Sequence, residues 1–179
     1  MDLTERLISG LAQAVNGKMT IERNGATLDF TAPYPRRKFF DLIKDETSID
    51  LTEDDTEEKL KAVCAEKKIF FKDKDAVGFG ELVDALYKEH VRPKIIQPTF
   101  VIDYPAAMIP LAKRKEDEPD RIASTQLIVQ GIEVTKAYNE LNDPLEQAAR
   151  FAEEETKRGQ GSQEAMPADA EFVEALMHG

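Results

Sequence analysis

The sequence predicts an α+β fold built on an antiparallel sheet. Three features carry that prediction. Asn24-Gly25 separates two short strand-like runs, and it accepts the positive φ angles of a tight hairpin turn. Leu127 to Gln130 and Ile132 to Tyr138 flank Gly131 as a second strand pair. Strands and helices are mixed without the regular strand–helix–strand rhythm of a parallel sheet.

The elements follow in chain order. Leu3, Leu7, Ile8, Leu11 and Val15 share one face of a helix over residues 3 to 15, and Asn16-Gly17 ends it with a left-handed cap. The hairpin comprises Met19 to Arg23 and Ala26 to Phe30. Pro33 and Pro35 break it, and Arg37 to Lys44 reads as a short helix carrying Phe39, Phe40 and Ile43. Residues 45 to 57 are acidic and polar, and helix resumes near Thr56 with Leu60 and Val63. Leu82, Val83, Leu86, Tyr87, His90 and Val91 form a helical stripe that Pro93 stops. Thr99 to Ile102 reads as a buried strand between Pro98 and Pro105, followed by a charged loop over 113 to 121.

In the Ile132–Tyr138 strand, Ile132, Val134 and Lys136 alternate against Glu133, Thr135 and Ala137, and neither face is cleanly apolar. A strand lining a polar pocket has that character. Asp143 and Pro144 open a helix to about Lys157, with Glu146 placed to reach back over its first turn. Gly159 to Ser162 is a flexible loop, and Asp169 caps a last helix carrying Phe172, Val173 and Leu176 on one face. The whole reads as one domain: helix, hairpin and short helix over 1–44, a helical insertion over 45–92, and strands with C-terminal helices over 93–179.

Composition narrows the function. The 179 residues carry a net charge of −11, which argues against a free-standing nucleic-acid binder. Lys113-Arg114-Lys115 is the one basic cluster, and Lys113 or Arg114 could reach a phosphate. The lone Cys64 excludes an intrachain disulfide and reads as a buried small hydrophobe. His90 and His178 are the only histidines, too few for a histidine-rich zinc site, and His90 reads as a packed side chain. Gly78-Phe79-Gly80 lacks the spacing of a phosphate loop. No apolar run approaches the ~20 residues that span a bilayer. The charged start Met1 to Arg6 does not resemble a secretory signal, so a cytoplasmic location is expected.

Several segments resemble class II lysyl-tRNA synthetases. They are Gln97 to Pro105, Pro110 to Lys115, Glu133 with Ala137-Tyr138 and Glu140-Leu141-Asn142-Asp143-Pro144, and Glu164 to Pro167 leading to Phe172 and Glu174-Ala175-Leu176. Their order and spacing agree along roughly the whole chain. The resemblance implies an antiparallel sheet flanked by helices, forming the central part of a catalytic domain. It implies a reaction that joins lysine to ATP, with magnesium and no prosthetic group, and passes the lysyl group to tRNA. The complete enzyme of the family is expected to be a homodimer.

By resemblance, Glu133 helps hold magnesium on the ATP phosphates, and Gln126 stands where the family often has a second metal-binding glutamate. Glu140 matches a glutamate of the lysine pocket, where a carboxylate can pair with the substrate ammonium. Tyr138, Lys136 and Asn139 fall in the same substrate-binding stretch. Lys136 stands where the family usually has asparagine, so it either repels the substrate's ammonium groups or pairs with a carboxylate or phosphate. Ser124 replaces an arginine. Glu133 and Glu140 are seven positions apart, so a bulge or the strand's end must reorient one of them if both serve one pocket.

The family's two ATP-binding arginines would fall before Met1 and after Gly179, and its anticodon-binding domain is also outside these residues. The expectation is that the chain alone does not form lysyl-adenylate. Two other roles remain open: a non-catalytic binding or dimerisation module, and lysine transfer to an acceptor other than tRNA.

Overall fold

A computed structural model describes residues 1–72, 76, 78–109, 112–162 and 165–179. Within the segments singled out above, Pro110, Leu111 and Glu164 lie outside the described residues. The element order is α1 (Asp2–Asn16), β1 (Thr20–Arg23), β2 (Ala26–Asp29), β3 (Arg36–Lys38), α2 (Phe39–Thr47), α3 (Glu57–Glu66), α4 (Gly78–Leu86), β4 (Thr99–Ile102), β5 (Ser124–Val129), β6 (Ile132–Tyr138), α5 (Pro144–Gly159) and α6 (Ala170–Met177). A π turn (Tyr87–Val91) and a 3₁₀ turn (Arg92–Lys94) continue α4, and a second 3₁₀ turn spans Ala106–Met108.

Two sheets form. β1 and β2 make the expected hairpin, with Asn24 at φ 48° and Gly25 at φ 78°. The larger sheet has the order β3-β4-β5-β6. β4-β5-β6 is antiparallel, whereas β3 joins β4 in parallel. The sequence had placed a helix from Arg37. Instead Arg36 to Lys38 pair with Phe100 to Ile102 before the chain turns into α2. Three residues held by a neighbouring strand carry little periodicity, so local pattern does not show them.

The larger sheet separates two apolar clusters. Phe39, Leu42 and Ile43 of α2, Leu60 and Cys64 of α3, and Leu82, Val83 and Leu86 of α4 pack with Val101 and Ile128. On the other side Phe100, Leu127 and Val129 meet Leu28 and Tyr34. Gln97 and Gln130 tie the hairpin to the sheet. Asp29 N–H donates to Gln97 Oε1 at 3.0 Å, and Gln130 Nε2 donates to Arg23 O at 2.8 Å.

The first helix corrects a sequence reading. Its apolar positions Leu3, Leu7, Leu11 and Val15 are 73%, 57%, 49% and 76% exposed, while Glu5, Ser9 and Ala12 are buried. The docking face is polar because it satisfies loop groups. Glu5 Oε2 accepts from Tyr34 N–H at 2.8 Å, and Ser9 Oγ donates to Phe30 O at 2.7 Å.

Local chemistry accounts for the helix ends. Gly17 at φ 69° caps α1, its N–H bonding Gln13 O. Asp143 accepts from Leu145 and Glu146 N–H groups, with Pro144 in the first turn of α5. Glu146 does not reach back as expected; it pairs with Arg150 and lies 3.4 Å from Arg114 Nε. Asp169 caps α6 at Phe172 N–H, 2.9 Å away. Phe172 meets Phe151 of α5 with ring centroids 6.2 Å apart, yet no residue of α6 is buried.

Cys64 is buried as expected, and burial pushes its thiol up to about 11. His90 is half-buried and lies 3.0 Å from Phe70 O through Nε2, so it serves packing at the π turn. Among the described residues, no helix is long and apolar enough to cross a membrane.

Candidate functional site

The site forms where β5 and β6 face α4 and its π turn. The decisive local feature is a register shift opposite Leu127 and Ile128. Gln126 pairs with Lys136 and Leu127 with Thr135, but Ile128 pairs with Glu133. Val134 is thereby the extra residue of a β-bulge. Strict alternation would have put Glu133 on the face of Thr135 and Ala137. The bulge instead places Glu133, Lys136 and Tyr138 on one face, opposite Ile128, Gln126 and Ser124 respectively. The alternation read from the sequence therefore fails at Val134, and Glu133 is reoriented to the face of Lys136 and Tyr138.

Two adjoining cavities open along that face. One, of about 230 Å³, is lined by Tyr87, Arg92, Tyr104, Gln126, Glu133 and Lys136, among others. The other, of about 280 Å³, is lined by Lys136 and Tyr138 together with α4, the Ala106–Met108 turn and α5. Asp84, Met108, Ile109 and Lys136 belong to both. Each is somewhat below the ~300–1,000 Å³ of sites for drug-sized ligands, so together they suit one small molecule.

Gly80 sets the width of the cleft. A Cβ there would stand 2.4 Å from Ala107 O, so only glycine lets α4 approach the Ala106–Met108 turn this closely. The π turn sets the other wall. Arg92 N–H bonds Tyr87 O, five residues back, where an α-helix would bond four back. The wider turn lets Tyr87 and Arg92 line the same cavity.

The floor is a chain of polar groups. Tyr104 Oη donates to Gln126 Oε1 at 2.7 Å and lies 3.3 Å from Tyr87 Oη. Burial pushes the Tyr87 phenol up to about 12, with Glu133 adding to the rise and Arg92 opposing it. The Tyr104 phenol is held far above its ordinary value, first by burial. Both phenols are therefore neutral donors at neutral pH. Asp84 pairs with Lys88 at 2.5 Å. Lys136 Nζ lies 6.0 Å from the centre of the Tyr138 ring.

The remaining expected site residues are distributed differently. Glu140 is exposed, sits at an isolated bridge to Ala112, and lines neither cavity. Glu133 and Glu140 are thus not brought into one pocket. Asn139 is exposed beside it, its backbone pairing with Ala123 and Lys113. Ser124 is buried opposite Tyr138, and its hydroxyl has no partner among the described residues. Lys113 is exposed, and Arg114 bonds Pro119 O at 3.1 Å beside a third cavity that includes Arg150 and shares Gly80, Ala107, Glu154 and Lys157 with the 280 Å³ one. Neither reaches the Glu133 cavity.

Glu133 and Gln126 line the same cavity, where they would hold a magnesium ion carried on ATP phosphates. Among the described residues no group of three or more His, Cys, Asp or Glu converges to hold a metal. Gln126 Oε1 accepts one hydrogen bond, from Tyr104, and keeps a second lone pair, while Arg92 and Lys136 line the cavity beside Glu133. A hard cation seeks carboxylate and phosphate oxygens away from competing positive charge.

Sequence reasoning missed Arg92, Tyr104 and Gly80. Tyr104 lay inside a segment noted for resemblance, but its burial against Gln126 needed the sheet. Arg92 before Pro93 carried no signal, because the π turn that aims it has no local signature.

The fold, the bulged strand pair and the cleft beside it form a setting for small-molecule binding. The chain belongs to the class II tRNA synthetases of the aspartate, lysine and asparagine group, whose family model matches residues 1–179. It is 39% identical over 180 residues to a lysine–tRNA ligase of Dehalococcoides mccartyi strain 195, covering 100% of this chain and 36% of that protein. It is also 39% identical over 176 residues to a lysine–tRNA ligase of Thermoanaerobacter pseudethanolicus, covering 98% and 35%. A lysine–tRNA ligase of Chloroflexus aurantiacus is 38% identical over 179 residues, covering 100% and 36%. The chain therefore spans about a third of the length of the curated relatives it matches.

Proposed function

We propose that these residues form the amino-acid-binding wall of a lysine–tRNA ligase catalytic domain, with the cleft beside β6 as the binding site. The observation that carries this reading is the bulge at Val134. It gathers Glu133, Lys136 and Tyr138 along one cleft, in a chain 39% identical to a lysine–tRNA ligase.

In this reading the whole polypeptide joins lysine to ATP and transfers the lysyl group to tRNA, in the cytoplasm and as a homodimer. The residues here contribute binding and orientation. Tyr87 offers a neutral hydroxyl group, Tyr104 holds Gln126 in place, Glu133 offers an acceptor for an ammonium group, and the cleft walls restrict solvent. ATP and magnesium enter as reactants of the whole protein, and no step is assigned to a metal on Gln126 and Glu133. Developing charge on phosphate needs positive groups aimed at it. Lys113 and Arg114 line neither cavity, and Arg92 and Lys136 are the cations that do; the 179 residues alone are expected to be inactive.

The test is lysine-dependent exchange of pyrophosphate into ATP by the full polypeptide that carries these residues. Exchange with lysine that Glu133→Gln reduces supports the reading. Exchange driven by another amino acid refutes the lysine assignment. Exchange by the isolated 179 residues refutes the statement that they are inactive alone.

A second reading, a non-catalytic binding or dimerisation module, draws on the exposed apolar face of α1 and on β6, an edge strand with Ile132 and Val134 44% and 45% exposed. A full polypeptide that associates and binds lysine without any exchange favours it.

A further inference from the structure

The 230 Å³ cavity carries more positive than negative charge. Arg92 and Lys136 line it against the single free carboxylate of Glu133, because Asp84 and Lys88 neutralise each other. The remaining polar lining, Gln126 and the two phenols, is neutral. Neither Arg92 nor Lys136 makes an ion pair among the described residues. Arg92 Nε is shielded from solvent and has no hydrogen-bond partner. A shielded guanidinium nitrogen in that state is costly unless a ligand satisfies it.

The strand register fixes how these groups meet. Lys136 is the direct cross-strand partner of Gln126, and the bulge brings Glu133 to the same face. The π turn delivers Arg92 to the cavity from the other wall. Two cations on separate elements therefore converge beside Glu133 and Gln126. A divalent ion on phosphates is held by carboxylates together with phosphate oxygens. One carboxylate and one neutral amide make a weak set for it, and the two fixed cations supply positive charge without it. The guanidinium fork suits phosphate oxygens, and a lysine ammonium binds them as a point charge.

We propose that Arg92 and Lys136 bind the polyphosphate tail of a nucleoside triphosphate directly, taking over part of the work of a divalent ion, so that nucleotide binding here depends only weakly on magnesium. This rests on the reading of the cleft as a synthetase reaction site. A cavity of about 230 Å³ holds the tail and not the whole nucleotide, and the adjoining one of about 280 Å³ along Tyr138 is left for the amino acid. Magnesium on Glu133 and Gln126 adds to the two cations but is not required for the tail to bind.

The test measures the affinity of the full polypeptide for ATP and AMP by calorimetry, each with magnesium and with EDTA. ATP in EDTA is expected to bind within about tenfold of its affinity with magnesium, and AMP, which lacks the tail, more weakly than ATP in both. Arg92→Met and Lys136→Met are each expected to weaken ATP in EDTA by roughly ten- to a hundredfold, and by less with magnesium, because the ion then compensates. Arg92→Lys, which keeps the charge, is expected to retain part of the affinity. An equal loss in the two conditions marks a merely structural role and overturns the proposal, as does an affinity in EDTA that neither substitution changes. Should the variants fail to fold, loss of ATP binding by the unaltered protein on removal of magnesium overturns it equally. Absence of ATP binding in both conditions overturns it too. Lysine-driven exchange together with ATP binding that requires magnesium overturns this inference and leaves the lysine reading intact. Magnesium-independent ATP binding without lysine-driven exchange, and with the same dependence on Arg92, upholds the inference and removes the lysine reading.

Discussion

Tyr104 donates its hydroxyl hydrogen to Gln126 Oε1 across 2.7 Å, joining the segment just after β4 to the middle of β5 beneath the candidate site. Both residues are buried. Tyr104→Phe removes the donor and keeps the ring, leaving a buried amide oxygen unsatisfied. The expected loss is about 1–3 kcal/mol of stability. Urea unfolding of the variant beside the unaltered protein measures it, and an unchanged midpoint would show that another donor reaches Gln126.

Gly80→Ala forces a Cβ to within 2.4 Å of Ala107 O. The obstacle is backbone, so α4 or the Ala106–Met108 turn must move. The expected cost is about 1–3 kcal/mol, as for overpacking elsewhere. Weaker lysine binding should accompany it, because the same contact sets the cleft width. A variant with unaltered unfolding and binding would place the turn and the helix farther apart.

Asp143 accepts from two N–H groups at the start of α5. Asp143→Ala leaves those donors to solvent and should cost about 1 kcal/mol. Asp143→Asn keeps an acceptor and should lose only part of that. Denaturant melts of the two variants give the comparison.

Leu7 and Leu11 project from α1 on the side away from the sheet. Replacing both with glutamate should change intrinsic stability by no more than about 0.5 kcal/mol for each position. It should lower the tendency to associate. Sedimentation at several concentrations reads the effect, and identical profiles for both proteins would rule out this face as an association surface.

Lys44 holds the Asp50 carboxyl at about 2, with Thr52 assisting, against an ordinary 3.8. A folded value below the unfolded one stabilises the fold above about pH 4. That contribution disappears as pH falls through the interval down to about 2. Asp50→Asn should flatten this part of the acid-unfolding curve. Equal slopes for the two proteins between those limits would count against the pairing.

Resemblance along the chain made the family legible before any geometry was known, and its α+β class followed from hairpin chemistry. The site was legible only in part. Glu133, Lys136, Tyr138 and Gln126 were named by resemblance to the family and do line the cleft. Glu140 and Asn139 were named from the same stretch, but the strand ends at Tyr138 and leaves both exposed. Arg92 was not legible at all, since nothing in its neighbours marks a π turn.

The sequence by itself determined the features that depend on a few consecutive residues. Asn24-Gly25 permits the positive φ pair of the hairpin, Gly17 caps α1, and Asp143 and Asp169 start α5 and α6. Each is settled within one turn of chain, by steric freedom or by a side chain reaching a nearby N–H. The tertiary structure decided the rest. A neighbouring strand made β3 out of three residues at a helix start. Pairing with β5 forced the bulge that turned Glu133 into the cleft. Loop groups claimed the polar face of α1 and left its leucines outside. These outcomes depend on which distant surface satisfies a hydrogen bond or covers an apolar side chain, and local periodicity carries no record of that partner.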